Sequence, residues 1–112
     1  MKSKRVRVGF LITDDSRMKI YNQRLLGKAK ATDVISMPVN DVLSDSEEML
    51  GELIVDCQEV TRNARRFRVP YKHELARVVA HGVLHLMGMG DETPKARSAM
   101  KAIEDQIVSE LQ

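Results

Sequence analysis

The alternation of apolar and polar residues along the chain predicts three strands and four helices. Period-two alternation or short apolar runs, which are typical of strands, occur at 4–12, 32–38 and 50–55. Helical spacing with boundary residues occurs at 15–26, 57–67, 72–87 and 94–111. The acidic and serine-rich residues 40–48 indicate an exposed loop. This order, β-α-β-β-α-α-α, predicts an α+β domain in which helices pack on a small mixed sheet.

The predicted helix over 72–87 is apolar on nearly all sides, so we expect it to be central and buried. It carries His81 and His85, four residues apart. That spacing directs both imidazoles to nearly the same side, about 6 Å apart along the helix axis. His73 is on the same helix but about 12 Å from His81 along the axis, so we expect it to have a surface or capping role instead.

The stretch HGVLHLMGMGD, residues 81–91, has the arrangement of a metal site. Two histidines at this spacing can bind one divalent metal, and the turn after the helix can fold a third ligand back onto it. Three protein ligands with an open fourth position are typical of catalytic zinc. The alternative is that the histidines hydrogen-bond to carbonyls or carboxylates. Gly82 stands where zinc peptidases with an HExxH motif have their general base, which disfavours a protease.

Composition narrows the class of protein. At 112 residues the chain fits one domain, and its apolar runs are too short to span a membrane. The basic and apolar N-terminus lacks a small-residue cleavage site and indicates a strand, not a signal peptide. The single Cys57 excludes an internal disulfide and a cysteine-based zinc site. We therefore expect a cytoplasmic protein with no membrane partner.

Charge is segregated along the chain although the net charge is only +2. Residues 1–30 carry nine Lys or Arg against two acids, and 31–60 carry eight acids and no Lys or Arg. Residues 61–77 carry six bases and one acid. Such blocks can produce a local basic face, although they can equally pair with each other or remain solvated.

Three stretches together resemble the YbeY family, the metal-dependent endoribonucleases of bacterial rRNA maturation. HGVLHLMGMGD resembles the family pattern HGxLHLxGYDH, and residues 22–38, NQRLLGKAKATDVISMP, resemble NxxYRGKxxxTDVLSFP. Residues 50–55, LGELIV, resemble the strand LGDIVI. The stretches occur in family order and cover most of residues 5–110.

The resemblance implies a single hydrolase domain over 1–112 that cleaves single-stranded RNA with a metal-activated water. It implies one Zn²⁺ per chain, and rRNA and the ribosomal subunit as partners, with no DNA expected. His81, His85 and Asp91 would be the metal ligands. The basic residues that would hold the RNA backbone are Arg24, Lys28, Arg62, Arg65 and Arg66.

Two departures from the family pattern affect this expectation. Asp91 replaces the usual third histidine, and as a harder ligand it leaves another divalent metal possible; a slip of one residue would make Glu92 the ligand. Leu26 replaces an arginine of the cleft, so Arg24 or Lys28 substitutes for it or activity is reduced. Reduced activity would favour a ribosome-assembly factor that keeps the metal site but catalyses little. A metal-dependent hydrolase of small molecules is a third possibility.

Two acidic residues and the N-terminal strand lead to further expectations. Asp33 and Glu52 lie in family-like motifs. They either orient His81 or His85 by hydrogen bonds to the ring nitrogen that does not bind the metal, or Asp33 caps a turn and Glu52 is a solvated strand residue. The chain starts close to a strand that the family reaches after some 30–40 residues, which leaves a sheet edge exposed.

Overall fold

The computed structural model describes residues 5–27 and 32–111, which form three strands and four helices. The elements in chain order are β1 (Arg5–Thr13), α1 (Asp15–Leu26), β2 (Val34–Ser44), β3 (Glu47–Asp56), α2 (Cys57–Phe67), α3 (Tyr71–Leu86) and α4 (Pro94–Ser109). The predicted order of elements is therefore confirmed. Within this part of the chain, no helix has the length and apolar character needed to cross a membrane.

The three strands form one mixed sheet in the order β1-β3-β2. β1 runs parallel to β3, whereas β2 runs antiparallel to it. Ile54 of β3 is paired with Leu11 on one side and with Ile35 on the other. The α+β class and the mixed sheet predicted from the sequence are both confirmed.

The predicted loop over 40–48 is wrong, because β2 and β3 continue through most of it as a hairpin. Only Asp45 and Ser46 form the turn, in which the Ser46 amide donates to Ser44 Oγ at 3.2 Å. The side chains there are largely exposed; Val42, for example, is 75% exposed. Strand pairing through the backbone does not require apolar side chains, so composition alone gave the wrong prediction.

The two faces of β3 pack against different helices. Leu53 and Val55 are fully buried in a cluster with α2 and α3. Ile54, which points the opposite way, packs with Met18 of α1. α3 contacts β2, β3, α2 and α4, so it lies between the sheet and the last helix.

β1 is an edge strand of the described sheet, and much of its apolar surface is uncovered. Val6, Phe10 and Ile12 are each more than half exposed. The alternation that predicted this strand is present, but helices cover only part of its apolar face. Within the described part of the chain, β1 therefore forms one edge of the sheet, with β2 at the other edge.

Candidate metal centre

Close packing of α3 on the sheet fixes where its histidines lie. Ser36 Oγ of β2 donates to the carbonyl of Gly82 at 3.2 Å. A Cβ at position 82 would lie 2.8 Å from Leu53 Cδ2, closer than carbon atoms pack. The glycine that the sequence left unexplained therefore permits close contact with side chains of the sheet, and this contact sets the height of His81 and His85 above it.

A tight turn after α3 brings Asp91 back to the two histidines. Gly88 begins the reversal with φ +95°, a conformation that favours glycine. Arg97 Nη1 of α4 donates to the Asp91 carbonyl at 3.1 Å and anchors the returning segment. As a result Asp91 Oδ2 is 3.4 Å from His85 Nε2 and 3.7 Å from His81 Nε2.

The three side chains are close enough together to share one metal ion. The two Nε2 atoms are 3.0 Å apart, so the three donor atoms are separated by 3.0, 3.4 and 3.7 Å. A tetrahedral zinc with ligands about 2.0–2.1 Å away would separate its donors by about 3.3 Å. The donor set and its spacing therefore fit a divalent metal. Glu92, the alternative ligand, is not part of this group.

Glu104 of α4 determines which nitrogen of His81 faces the other ligands. Its Oε2 is 3.0 Å from His81 Nδ1. An ionised carboxylate only accepts hydrogen bonds, so Nδ1 carries the proton and Nε2 presents a lone pair. A carboxylate behind a histidine in this way is the usual support of a metal ligand.

Glu104 was not predicted as a site residue, although the sequence pattern of α4 indicates that it is unusual. Met100, Glu104 and Val108 recur every four residues on one face of α4, so a carboxyl group lies in an apolar stripe. Glu104 is only 7% exposed. A buried acid in such a stripe requires a partner, and the sequence did not show that the partner would be His81.

The candidate ligands are half-buried, which corrects the expectation that they lie within a fully buried helix. The side chains of His81, His85 and Asp91 are 32%, 29% and 43% exposed. His81 and His85 open onto a cleft of about 320 Å³ between α3 and β2. A substrate could therefore reach the candidate site directly.

Asp33 and Glu52, considered as supports of the histidines, lie in different places. Asp33 lines the same cleft as His81 and His85. Burial raises the pKa of the Asp33 carboxyl above its ordinary value. Glu52 instead lines a cavity on the α1 side of the sheet, together with Gly9 and Tyr21. Glu52 therefore does not support the histidines, as expected for a solvated strand residue.

The arginines predicted to hold RNA differ in exposure and in whether they form ion pairs with neighbouring carboxylates. Arg62 forms ion pairs at 2.7 Å with Asp15 and Glu59, so its charge is already compensated. Arg24, Arg65 and Arg66 are exposed on helix surfaces. None of these four lines the cleft that holds the histidines. Lys28 lies outside the described residues.

A basic residue that the sequence did not single out does line the cleft. Arg77 is one turn before His81 on α3. Its Nη1 is 2.7 Å from Asp105 Oδ1 and 3.6 Å from Glu104 Oε1. Arg77 therefore ties α3 to α4 next to the pair formed by His81 and Glu104. Leu26, at the position of the family arginine, also lines this cleft and brings no charge to it.

Comparison with known proteins identifies the family. Residues 1–112 match the family described as Endoribonuclease YbeY. Three curated proteins named Endoribonuclease YbeY are similar to the chain. The one from Persephonella marina is 31% identical over 108 residues, 95% of this chain and 71% of that protein. Those from Myxococcus xanthus and Chlorobium phaeobacteroides are 32% and 36% identical over 94% and 87% of this chain.

The chain is shorter than these relatives. It spans 36% of the Myxococcus xanthus protein and 67% of the Chlorobium phaeobacteroides protein. Among solved structures, the solution structure of TM1509 from Thermotoga maritima resembles it with a TM-score of 0.61 and 28% identity. That match covers 94% of this chain and 70% of the other. The resemblance inferred from three short motifs is confirmed, and the chain belongs to the Endoribonuclease YbeY family.

Proposed function

We propose that this protein is a metal-dependent endoribonuclease that hydrolyses single-stranded RNA during rRNA maturation. The nuclease class follows from membership of the Endoribonuclease YbeY family, which makes the chain a hydrolase. Beyond this nuclease class, we propose a substrate, a metal requirement and the residues involved. The observation that best supports this proposed function is that the side chains of His81, His85 and Asp91 lie close enough together to share one metal ion.

The metal would be held by His81 Nε2, His85 Nε2 and a carboxylate oxygen of Asp91. When bound, a divalent metal lowers the pKa of a water molecule to about 7 and offers positive charge to phosphoryl oxygens. Glu104 fixes the proton of His81 on Nδ1 and keeps Nε2 available. The Asp91 carboxylate adds negative charge to the site, so the neutral imidazoles need not compensate the metal alone.

Asp33 is one of three acids that line the cleft, with Glu74 and Glu104, and we propose it as the residue that transfers a proton there. It lines the cleft with both histidines, and its raised pKa allows it to hold a proton closer to neutrality than an exposed aspartate does. Gly82 offers no general base beside His81. We infer that Asp33 protonates the leaving oxygen of the cleaved phosphodiester.

Zinc is the metal we propose, at one ion per chain. Two imidazoles and a carboxylate are a common ligand set of catalytic zinc. His81 and His85 line the cleft, so water and substrate would approach a metal held by these residues from there. An aspartate in place of a third histidine also accepts harder divalent ions, so metal content requires direct measurement.

We propose the ribosomal subunit as the setting and the cytoplasm as the location. The free thiol of Cys57 accords with a reducing compartment. Arg65 and Arg66, together with Arg24 and Lys28, would hold the RNA backbone. We also propose that residues 1–112 act as one domain, since both apolar clusters include residues of β3.

One observation favours a second candidate function, a ribosome-assembly factor with little catalysis. Leu26 lines the cleft and is 53% exposed there, so it contributes apolar surface where a phosphate would require charge. Such a protein would retain the metal and bind ribosomal subunits without cutting RNA.

An RNA cleavage assay with and without a chelator distinguishes these functions. Purified protein of known metal content should cut single-stranded RNA, lose activity with the chelator and recover it when zinc is added back. Full metal content with binding to ribosomal subunits but no cleavage would favour the assembly factor. Activity that persists after complete metal removal would contradict both functions.

A further inference from the structure

A second cavity adjoins the candidate metal centre on the side away from Asp33. Its volume is about 510 Å³, within the range of small-molecule sites. It lies between the end of α2, the first turns of α3, and α4. His81 lines both cavities, whereas His85 lines only the cleft and Asp91 lines only the second cavity. Glu74, Arg77 and Glu104 also line both cavities, so the two spaces adjoin along α3 and α4 and a ligand that extends between them would lie beside His81.

The walls of this cavity are largely apolar. Phe67, Val69, Met100 and Val108 line it, and Met100 is almost fully buried. Phe67 is 58% exposed, so its ring lies at the entrance and not in a core. An exposed aromatic ring beside aliphatic side chains is a surface on which a flat, apolar group can stack.

Unpartnered polar groups lie in and beside this apolar cavity. Glu74 lines the cavity and is 4% exposed; its backbone amide donates to the Pro70 carbonyl, whereas its carboxyl forms no hydrogen bond within the described part of the chain. Burial raises the pKa of its carboxyl, an effect that Arg77 partly offsets. His73 lines the cavity too, and its buried Nε2 has no hydrogen-bond partner in the described part of the chain. A buried polar group without a partner costs free energy, so a ligand that hydrogen-bonds there would be favoured.

Neither group has a role in the hydrolysis proposed above. Glu74 is seven residues before His81, which places it on the same face of α3 but about 10 Å away along the axis. It is thus too far from His81 to bind the same metal. His73, which we expected to be a surface or capping residue, is half-buried and lines this cavity.

We propose that the second cavity binds one nucleobase of the RNA, adjacent to the phosphodiester at the metal centre. A base has flat apolar faces that stack on a ring such as Phe67 and a polar edge that can reach Glu74. The carboxyl groups of Glu74, Asp91 and Glu104 share the lining with Arg77, Arg97 and Lys101, so the charges of the cavity offset one another and its apolar walls favour an uncharged group. This inference rests on the proposed function for its choice of RNA as the ligand.

The test combines removal of Phe67 with removal of single bases from the RNA. Binding of short single-stranded RNA with phosphorothioate linkages is measured on metal-loaded protein, for wild type and Phe67→Ala. Phe10→Ala is the matched control, because Phe10 is 53% exposed and lies on β1, away from the cavity. The same RNA is then prepared with one abasic position at a time.

Loss of stacking should weaken binding to Phe67→Ala at least about five-fold. One abasic position should weaken binding to wild type and to Phe10→Ala by a similar factor, but have little further effect on Phe67→Ala. Glu74→Gln, which preserves the size of the side chain, should change which of the four bases binds best at that position.

Two results would overturn the proposal. The first is unchanged binding to Phe67→Ala, and the second is an abasic effect of equal size in Phe67→Ala and wild type at every position. The cleavage assay reports separately on the proposed function. If the protein cuts RNA but the abasic effect does not depend on Phe67, only the proposed base site is rejected. If the abasic effect depends on Phe67 but no RNA is cut, the base site is supported and the proposed nuclease activity is rejected.

Discussion

At the scale of single residues, the pair formed by His81 and Glu104 decides how the candidate site is organised. Two imidazole nitrogens 3.0 Å apart repel each other when both present lone pairs, unless a proton or a cation lies between them. Glu104 already accepts the proton of His81 Nδ1. With its proton on Nδ1, His81 presents at Nε2 a lone pair that can accept a hydrogen bond from His85 Nε2 or bind a cation that both rings share.

Removal of the Glu104 carboxylate should weaken metal binding without removing a metal ligand. We expect Glu104→Gln to lower zinc affinity roughly 10–100-fold, because a neutral amide holds the His81 ring and its proton less well. Competition with a chromogenic chelator measures the affinity. Asp105→Asn is the control, since Asp105 is adjacent and pairs with Arg77 instead of His81. Equal affinity in Glu104→Gln and wild type would refute the role of Glu104.

The sequence predicted part of this site and could not predict the rest. His81, His85 and Asp91 lie within eleven residues, so local spacing was sufficient to associate them. Glu104 reaches His81 only because α4 packs against α3, and Glu52 points to the other face of the sheet because of the strand register. Contacts of this kind depend on tertiary packing, which a single sequence does not specify.

At the scale of elements, the approach of α3 to the sheet positions the site. Ser36 and Leu53 contact the helix at Gly82, where a larger residue has no space. The helices were predictable from their apolar spacing and boundary residues. The hairpin over 40–48 was not, since its stability comes from backbone pairing between β2 and β3 and its side chains resemble those of a loop.

Gly82→Ala should destabilise the protein although alanine is the better helix former. Alanine gains about 1 kcal/mol of helix propensity over glycine. Displacement of the buried Leu53 should cost about 1–3 kcal/mol, so we expect a small net loss in the free energy of unfolding. Urea denaturation with a chelator present measures it. Gly90→Ala is the control, because a Cβ there meets no atom within 4 Å. A net gain in stability for Gly82→Ala would contradict the packing described.

At the scale of the whole molecule, the segregated charges are partly paired across the fold. Arg62 pairs with Asp15 from the first block of the chain, and Arg7 pairs with Glu47 at 3.1 Å. Pairing between blocks was one of the two expectations from the sequence, and it holds for these residues. Arg65 and Arg66 are exposed at the end of α2, immediately before Phe67, and we propose that they hold the RNA backbone.

Charge reversal of Arg65 and Arg66 should weaken RNA binding and reduce its dependence on salt. If each arginine contacts one phosphate, the slope of log affinity against log salt should fall by about 2. The control is Arg17→Glu with Lys19→Glu, which changes the net charge equally but on α1, across the sheet. An equal loss of affinity in both double variants would indicate a general effect of net charge.

Asp56 should make the metal-free protein less stable as pH rises. Burial and the neighbouring Asp15 carboxyl raise the pKa of Asp56 to about 6 from 3.8. The folded state therefore binds the proton more tightly, and stability falls between about pH 4 and pH 6, by about 1–3 kcal/mol for this group.

Asp56→Asn separates this titration from the helix cap that Asp56 provides. Asp56 accepts from the amides of Gln58 and Glu59, and asparagine caps helices equally well. Urea denaturation at pH 4 and pH 7, with a chelator present, should show a smaller decline for Asp56→Asn than for wild type. An identical decline in both proteins would show that Asp56 does not titrate in this range.

The metal content of Asp91→Ala tests the central claim most directly. Wild type should contain about one zinc per chain, as expected for one three-ligand site. Asp91→Ala should lose most of that metal together with RNA cleavage, whereas Glu92→Ala should retain both. Elemental analysis of the three purified proteins gives the answer. Full metal in Asp91→Ala, or its loss in Glu92→Ala alone, would contradict a site built from His81, His85 and Asp91.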